Sequence, residues 1–359
     1  MIPGGSAPAK LPFNATTRFG YHKSLEKIKS TRTRVAVIVL INLVSLTALA
    51  WTLRDAKLGN LRHDFAALNG WWVLAAIATQ LSVYLWQALR WKQLLAPVVV
   101  FRFWQTVQAI FAGLFISELM PFRGGEVVRC YLVSRWTGLP FSVSLTSVLI
   151  ERVFDGLLMW LALQSLLDTA RFPPSFAYGS DGLGAVVLAG VVIFALALFS
   201  PEPKGKQIPA RGWRRRFWVL RSDLAHIGHS WSLCSAFLLT IPYLLFQAVP
   251  IWVLSSGYGF NIPVGAAIAL MMLLRLAAAF PQAPATLGLF QLITKEFLEY
   301  GYSIPAADAA RFSLLLWAVV KLPLLAAGAI ALSITGSKIG ELTQAAAERA
   351  RTGESREPE

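Results

Sequence analysis

Apolar runs alternate with short polar stretches along the chain, and the runs are long. Eight stand out, at residues 35–53, 71–89, 103–120, 141–167, 183–200, 233–255, 262–280 and 306–334. An α-helix needs about 20 apolar residues to cross the roughly 30 Å of hydrocarbon in a bilayer, so each run is read as a membrane segment. Trp71, Trp72, Trp86 and Trp91 bracket the second run, as expected where amphipathic rings settle at the two interfaces. The pattern predicts an all-α integral membrane protein with about eight hydrophobic segments.

Composition excludes a soluble domain. Of 359 residues, 56% are hydrophobic and 14% charged, against about 25% charged in soluble domains, and mean hydropathy is +0.56. A formal charge of +14 would point to nucleic acid in a soluble chain. Here the excess sits in short segments between apolar runs and reads as cytoplasmic loops beside anionic lipid. Cys130 and Cys234 lie far apart with no partner at metal-ligand spacing, and His226 and His229 fall in a basic loop. No cofactor, metal or nucleic-acid partner is expected. Walker A, HExxH, GxSxG and GxGxxG patterns are absent, which removes the commonest nucleotide-driven and hydrolytic readings; the expectation is a non-enzyme.

Basic residues set the expected topology. Residues 1–34 hold seven Lys or Arg against one Glu and read as a cytoplasmic N-terminal segment before a retained anchor. The membrane domain is taken as 35–334, with repeat halves at about 35–168 and 183–334, a basic linker at 201–232 and a polar tail at 335–359. The linker carries seven Lys or Arg, including Arg214, Arg215 and Arg216. Were all eight runs to cross, it would face outside, against the positive-inside rule. The conflict vanishes if 103–135 is a re-entrant hairpin that turns near Pro121 and returns to the cytoplasm. A similar element follows in the second half: Pro121 precedes Gly125 by four residues and Gly138 by seventeen, and Pro284 precedes Gly288 and Gly301 by the same intervals. Six crossings plus two re-entrant hairpins in an inverted repeat are expected, an architecture of many transporters. The alternative is an eight-crossing bundle with marginal basic bias.

Ionisable residues within apolar runs cost about 2.5–3.5 kcal/mol each on insertion scales and need a partner or a wet cavity. Glu151 and Asp155 lie four apart on one helical face, with Arg152 within reach of Asp155. They form either an internal ion pair locking helix to helix or a setting in which Arg152 meets an anionic headgroup. The first hairpin carries Glu118, Pro121, Arg123, Gly124, Gly125, Glu126 and Arg129. Helix breakers, free backbone donors and two arginine forks together suit phosphate; the bland reading is basic side chains that merely snorkel. The tip of the second hairpin, residues 281–288, is uncharged, but Arg275 precedes it and Lys321 lies in the last run. Either cation could pair with Glu151 or Asp155, or meet substrate. Phe290, Ile293 and Phe297 recur at spacings of three and four, the packed face of a returning helix.

Pro121, Gly125, Glu126 and Arg129 match a P-x-x-x-G-E-x-x-R signature, and Glu151, Arg152 and Asp155 an E-R-x-x-D. On these residues, and more weakly on 281–288, the chain resembles the transmembrane, flippase-like region of the lysylphosphatidylglycerol synthases and their stand-alone relatives, over about 35–334. It departs from that pattern around Ser117 and Glu118, where an Asn commonly precedes the first Pro, and at Ala285, Thr286 and Gln291, where Gly, Gly and Glu are usual. After Ile334 only 25 residues follow, too few for an aminoacyl-transfer domain, so synthase activity is not expected.

With the residues above, the resemblance implies a protein of the bacterial cell (inner) membrane that moves an anionic phospholipid or polyprenyl-phosphate-linked lipid between leaflets. Arg123, Arg129 and Arg152 hold the phosphate, and Glu126 and Asp155 orient them or exchange protons. Gly124, Gly125, Glu151, Arg275 and Lys321 complete the binding set, while Pro121, Pro281, Pro284 and Gly288 gate at the hairpins. Two alternatives stay open. One is a non-transporting membrane partner of lipid-linked glycan or glycolipid synthesis, working with a lipid-biosynthetic enzyme. The other is a membrane lipid-modifying enzyme with Glu126 or Asp155 as acid or base.

Overall fold

The structure, a computed structural model, describes residues 36–56, 59, 68–120, 124–167, 174–199, 221–224, 227, 231–278, 283–336, 343–345 and 348, with side chains at all of these except 166–167, 174–183 and 197–199. The basic N-terminal segment, His226, His229, most of the linker and the hairpin residues Pro121, Arg123 and Pro281 lie outside the described residues. Two compact units divide the chain, Met1–Val44 and Ser45–Glu359. Of the first, only the start of helix α1 (Ala36–Arg54) is described.

Every long described element is helical, and no strand occurs among the described residues. After α1 come α2 (Gly70–Leu95), α3 (Phe103–Leu119), α4 (Gly125–Thr137), α5 (Phe141–Leu167), α6 (Pro174–Phe199), α7 (Trp231–Gly257), α8 (Val264–Ala277), a 3-10 turn (Pro284–Thr286), α9 (Leu289–Tyr302) and α10 (Ala306–Ile334). Four of them, α1, α2, α7 and α10, are long and apolar enough to cross a membrane. The 27 residues of α5 reach about 40 Å, but its centre carries Glu151, Arg152 and Asp155. By contrast α3 has 17 residues, α4 13, and α8 and α9 14 each, so these rods are about 20 to 26 Å long and fall short of the roughly 30 Å hydrocarbon core.

Within the second unit, packed pairs come in matched sets. Helix α2 meets α3 as α7 meets α8, and α3 meets α4 as α8 meets α9. Likewise α4 meets α5 as α9 meets α10, and α3 meets α10 as α8 meets α5. Exchanging α2 with α7, α3 and α4 with α8 and α9, and α5 with α10 leaves these neighbours unchanged, with α2 and α7 packed on each other. Helix α3 also meets the 3-10 turn, so the two short-helix pairs touch.

Close approach of α3 to α4 depends on Gly125, where a Cβ would collide with the Gly113 carbonyl oxygen and Ser117 Oγ. Gly125 therefore serves helix packing. In the second pair the chain bends left-handed at Ala285 (φ 55°), Thr286 (φ 57°) and Gly288 (φ 89°), and Gly288 abuts the Ser45 carbonyl. Phe290 is buried in the core, with Ile293 and Phe297 packed against the same cluster, as the returning-helix periodicity predicts. Midway along α9, Lys295 Nζ donates to Asp55 Oδ2 at 2.9 Å. That hydrogen bond is the main reason the Asp55 carboxyl sits below its ordinary range.

Two sequence expectations need correction. Trp91 is fully buried and donates from Nε1 to Ser147 Oγ at 2.8 Å; α2 runs six residues past the apolar run, carrying this ring into the core instead of to an interface. The spacing match of Gly138 with Gly301 holds only in sequence. Gly138 is the left-handed cap of α4 (φ 71°), whereas α9 continues through Gly301 and is capped at Ser303 (φ 54°).

Candidate functional site

Glu151 and Asp155, one turn apart on α5, do face the same way, and what they face is three arginines from three other helices. Arg90 of α2 donates from Nε to Glu151 Oε1 at 3.1 Å and from Nη1 to Asp155 Oδ1. Arg129 of α4 donates from Nη2 to Glu151 Oε2 at 2.5 Å. Arg275 of α8 donates from Nη2 to Asp155 Oδ2 and from Nη1 to Gln247 Oε1 of α7, both at 3.0 Å. Aromatic faces complete the set: the Arg90 guanidinium lies 4.4 Å and that of Arg275 5.7 Å from the Tyr243 ring centre, and Arg129 lies 4.7 Å from that of Trp91. Arg90 and Glu151 side chains are 1% and 2% exposed. In a medium without water such charges persist only in mutual contact, so the chain Arg129, Glu151, Arg90, Asp155, Arg275 acts as one bonded unit across α4, α5, α2 and α8.

The expected pairing of Arg152 with Asp155 is not what forms. Arg152, 47% exposed, pairs with Glu126 at the start of α4. One helical step from its neighbours, it projects off the buried face instead of into it. Lys321 of α10 takes neither Glu151 nor Asp155 but donates to Glu118 Oε1 of α3 at 2.7 Å. The second oxygen, Glu118 Oε2, is buried without a hydrogen-bond partner, as are Arg129 Nε and Nη1 and Thr286 Oγ1.

Part of this set borders a cavity of about 520 Å³, within the size range of small-ligand sites. Its charged walls are Arg152, Asp155, Arg275, Lys321 and Glu126, and its neutral polar walls include Gln80, Tyr84 and Gln87 of α2, Tyr243 and Gln247 of α7, and Thr286 of the 3-10 turn. Both short-helix pairs thus contribute to one cavity. Of the residues expected at the site, Glu126, Arg152, Asp155, Arg275 and Lys321 line it. Arg129 and Glu151 stand behind it, Glu151 accepting from both Arg129 and Arg90, while Gly125 lies in the α3–α4 contact and Gly124 caps α4. Pro284 opens the 3-10 turn that bears Thr286, and Gly288 lies beyond it. Among the described residues no group of three or more His, Cys, Asp or Glu could hold a metal ion.

Arg90 escaped the sequence reading because it falls just beyond the apolar run. A signal was present: Gln80, Tyr84, Gln87 and Arg90 follow at spacings of four, three and three, a polar stripe along one face of an otherwise apolar helix. Tyr243 and Gln247 repeat that spacing in α7.

Searches of curated proteins and of solved structures found no match to this chain. A family model does match, covering residues 35–328, a range that includes every residue lining the cavity. The chain is a multi-pass membrane protein and belongs to the family described as the lysylphosphatidylglycerol synthase TM region.

Proposed function

We propose that this protein moves an anionic phospholipid or polyprenyl-phosphate-linked lipid from one leaflet to the other, its headgroup passing through the cavity between the two short-helix pairs. The observation that carries the reading is a cavity among membrane helices whose walls present Arg152, Arg275 and Lys321. A cation at membrane depth is costly unless it serves a partner or a polar route, and these three line one cavity. Arg275 offers a planar fork suited to phosphate, and Lys321 a point charge. In this reading α3–α4 and α8–α9 are re-entrant hairpins, since their helices are shorter than the hydrocarbon core is thick. The matched packing of the halves is what an inverted repeat produces, and motion of one half against the other would open the cavity to each leaflet in turn. The basic N-terminal segment and linker then face the cytoplasm of a bacterial cell, with the protein in its inner membrane.

Reconstitution tests this. Purified protein in phosphatidylcholine vesicles should expose an acyl-labelled anionic lipid to an impermeant quencher faster than in protein-free vesicles, with the lipids chemically unchanged afterwards. Labelled anionic lipids moving no faster than in protein-free vesicles would overturn the proposal, and a new lipid product would mark an enzyme.

A further inference from the structure

Resting on the lipid-moving reading above, we infer that the cavity selects a headgroup bearing hydroxyls, a polyol or sugar joined to the lipid through a phosphodiester, over an equally charged headgroup that has none. The uncharged part of the wall carries this inference. Gln80, Tyr84 and Gln87 line the cavity from α2, and Tyr243 and Gln247 line it from α7. Gln80 and Gln87 lie two turns of α2 apart, about 10 Å along its axis, so the neutral polar groups extend well beyond a single contact.

Several of these groups are buried without serving the fold. Gln87 and Tyr243 are each 7% exposed, and among the described residues neither the Gln87 amide nor the Tyr243 hydroxyl has a hydrogen-bond partner. The Tyr243 ring itself lies against the Arg90 and Arg275 guanidiniums, which fixes where its hydroxyl stands. Thr286 Oγ1, from the 3-10 turn, is a third group without a partner. By contrast Gln247 is taken up by Arg275, and Gln80 Nε2 donates to the Tyr84 hydroxyl at 2.7 Å, which leaves that hydroxyl its own proton to donate. Amides and hydroxyls both donate and accept, as an alcohol does, whereas a guanidinium only donates and a carboxylate only accepts. A headgroup that enters the cavity takes these groups out of water. Hydroxyls replace the lost hydrogen bonds in both directions, while an alkyl headgroup leaves buried polar groups unsatisfied. Sites built to bond a hydroxyl reject the analogue lacking it for this reason.

The full chain in phosphatidylcholine vesicles tests this with two lipids that differ only in hydroxyls. Acyl-labelled phosphatidylglycerol and acyl-labelled phosphatidylpropanol are phosphodiesters of the same charge and the same headgroup carbon count. The native protein should move phosphatidylglycerol faster by about tenfold or more. Gln87→Leu removes the amide and keeps its bulk, and Tyr243→Phe removes the hydroxyl and keeps the ring beside Arg90. Each should lower the ratio of the two rates by about threefold or more, at whatever rate the variant moves lipid. Equal movement of both lipids by the native protein, or an unchanged ratio in both variants, would overturn the inference while leaving lipid movement standing. If neither lipid moves faster than in protein-free vesicles, the lipid-moving reading falls and this inference with it.

Discussion

Arg90 holds the candidate site together more than any residue expected from sequence. Its guanidinium bridges both acids of α5, and removing it leaves Glu151 with Arg129 alone and Asp155 with Arg275 alone. Arg90→Ala should therefore cost about 3–5 kcal/mol, as when a buried pair is broken from one side, and appear as loss of monodisperse protein or a lowered melting temperature in detergent. Arg152→Ala breaks an exposed pair worth about 0–1 kcal/mol, so it should leave melting nearly unchanged yet slow anionic lipid movement. A large melting loss in Arg152→Ala, or none in Arg90→Ala, would show that the roles are reversed. At Thr286 a β-branched residue sits in the left-handed region with its hydroxyl buried and unbonded, a combination that local strain at a working site tolerates. Thr286→Gly should raise stability by about 1 kcal/mol, since relief of left-handed strain outweighs the chain entropy lost; an unchanged or lowered melting temperature contradicts this. Spacing alone identified the acids of α5, and the resemblance pointed to the change from Gly-Gly to Ala285 and Thr286. Spacing could not tell that Arg152 takes Glu126 as its ion-pair partner, because partner choice depends on which helices pack against that face.

The helices themselves were legible from apolar run length: α5 and α10 match their runs, and α3 ends within one residue of its own. Their ends were less so, since Arg90 to Leu95 prolong α2 with residues that hydropathy alone assigns to a loop. What the elements do in the membrane follows from their lengths. If α3–α4 and α8–α9 are hairpins of opposite entry, their bases lie on opposite faces. With Cys130 and Cys234 replaced by Ala, Thr137→Cys at the end of α4 should be shielded from an impermeant thiol reagent added outside the cell, and Tyr300→Cys at the end of α9 should react. Reaction of both, or of neither, contradicts the inverted arrangement.

At the scale of the molecule, repetition of the packing contrasts with the uneven placing of charge. In the register that pairs Gly125 with Gly288, Glu151 and Asp155 correspond to Leu314 and Ala318, Arg275 to Ala112 and Lys321 to Leu158. The halves share helix neighbours but not chemistry, so the repeated pattern of Pro and Gly could reveal the architecture while saying little about the site. The site arises where α2, α4, α5, α7, α8 and α10 converge, a meeting of side chains far apart in sequence. The central claim is that the headgroup passes through that meeting point, and the most direct measurement blocks it without touching a charge. Ala278 lines the cavity, and Ala278→Trp should put an indole ring into it and obstruct the route. The account predicts that this variant, as monodisperse and thermally stable as the native protein, moves labelled phosphatidylglycerol across vesicles no faster than protein-free controls while the native protein moves it well above them. Native-like movement by this variant would contradict the account, because the lipid would then be crossing by another route.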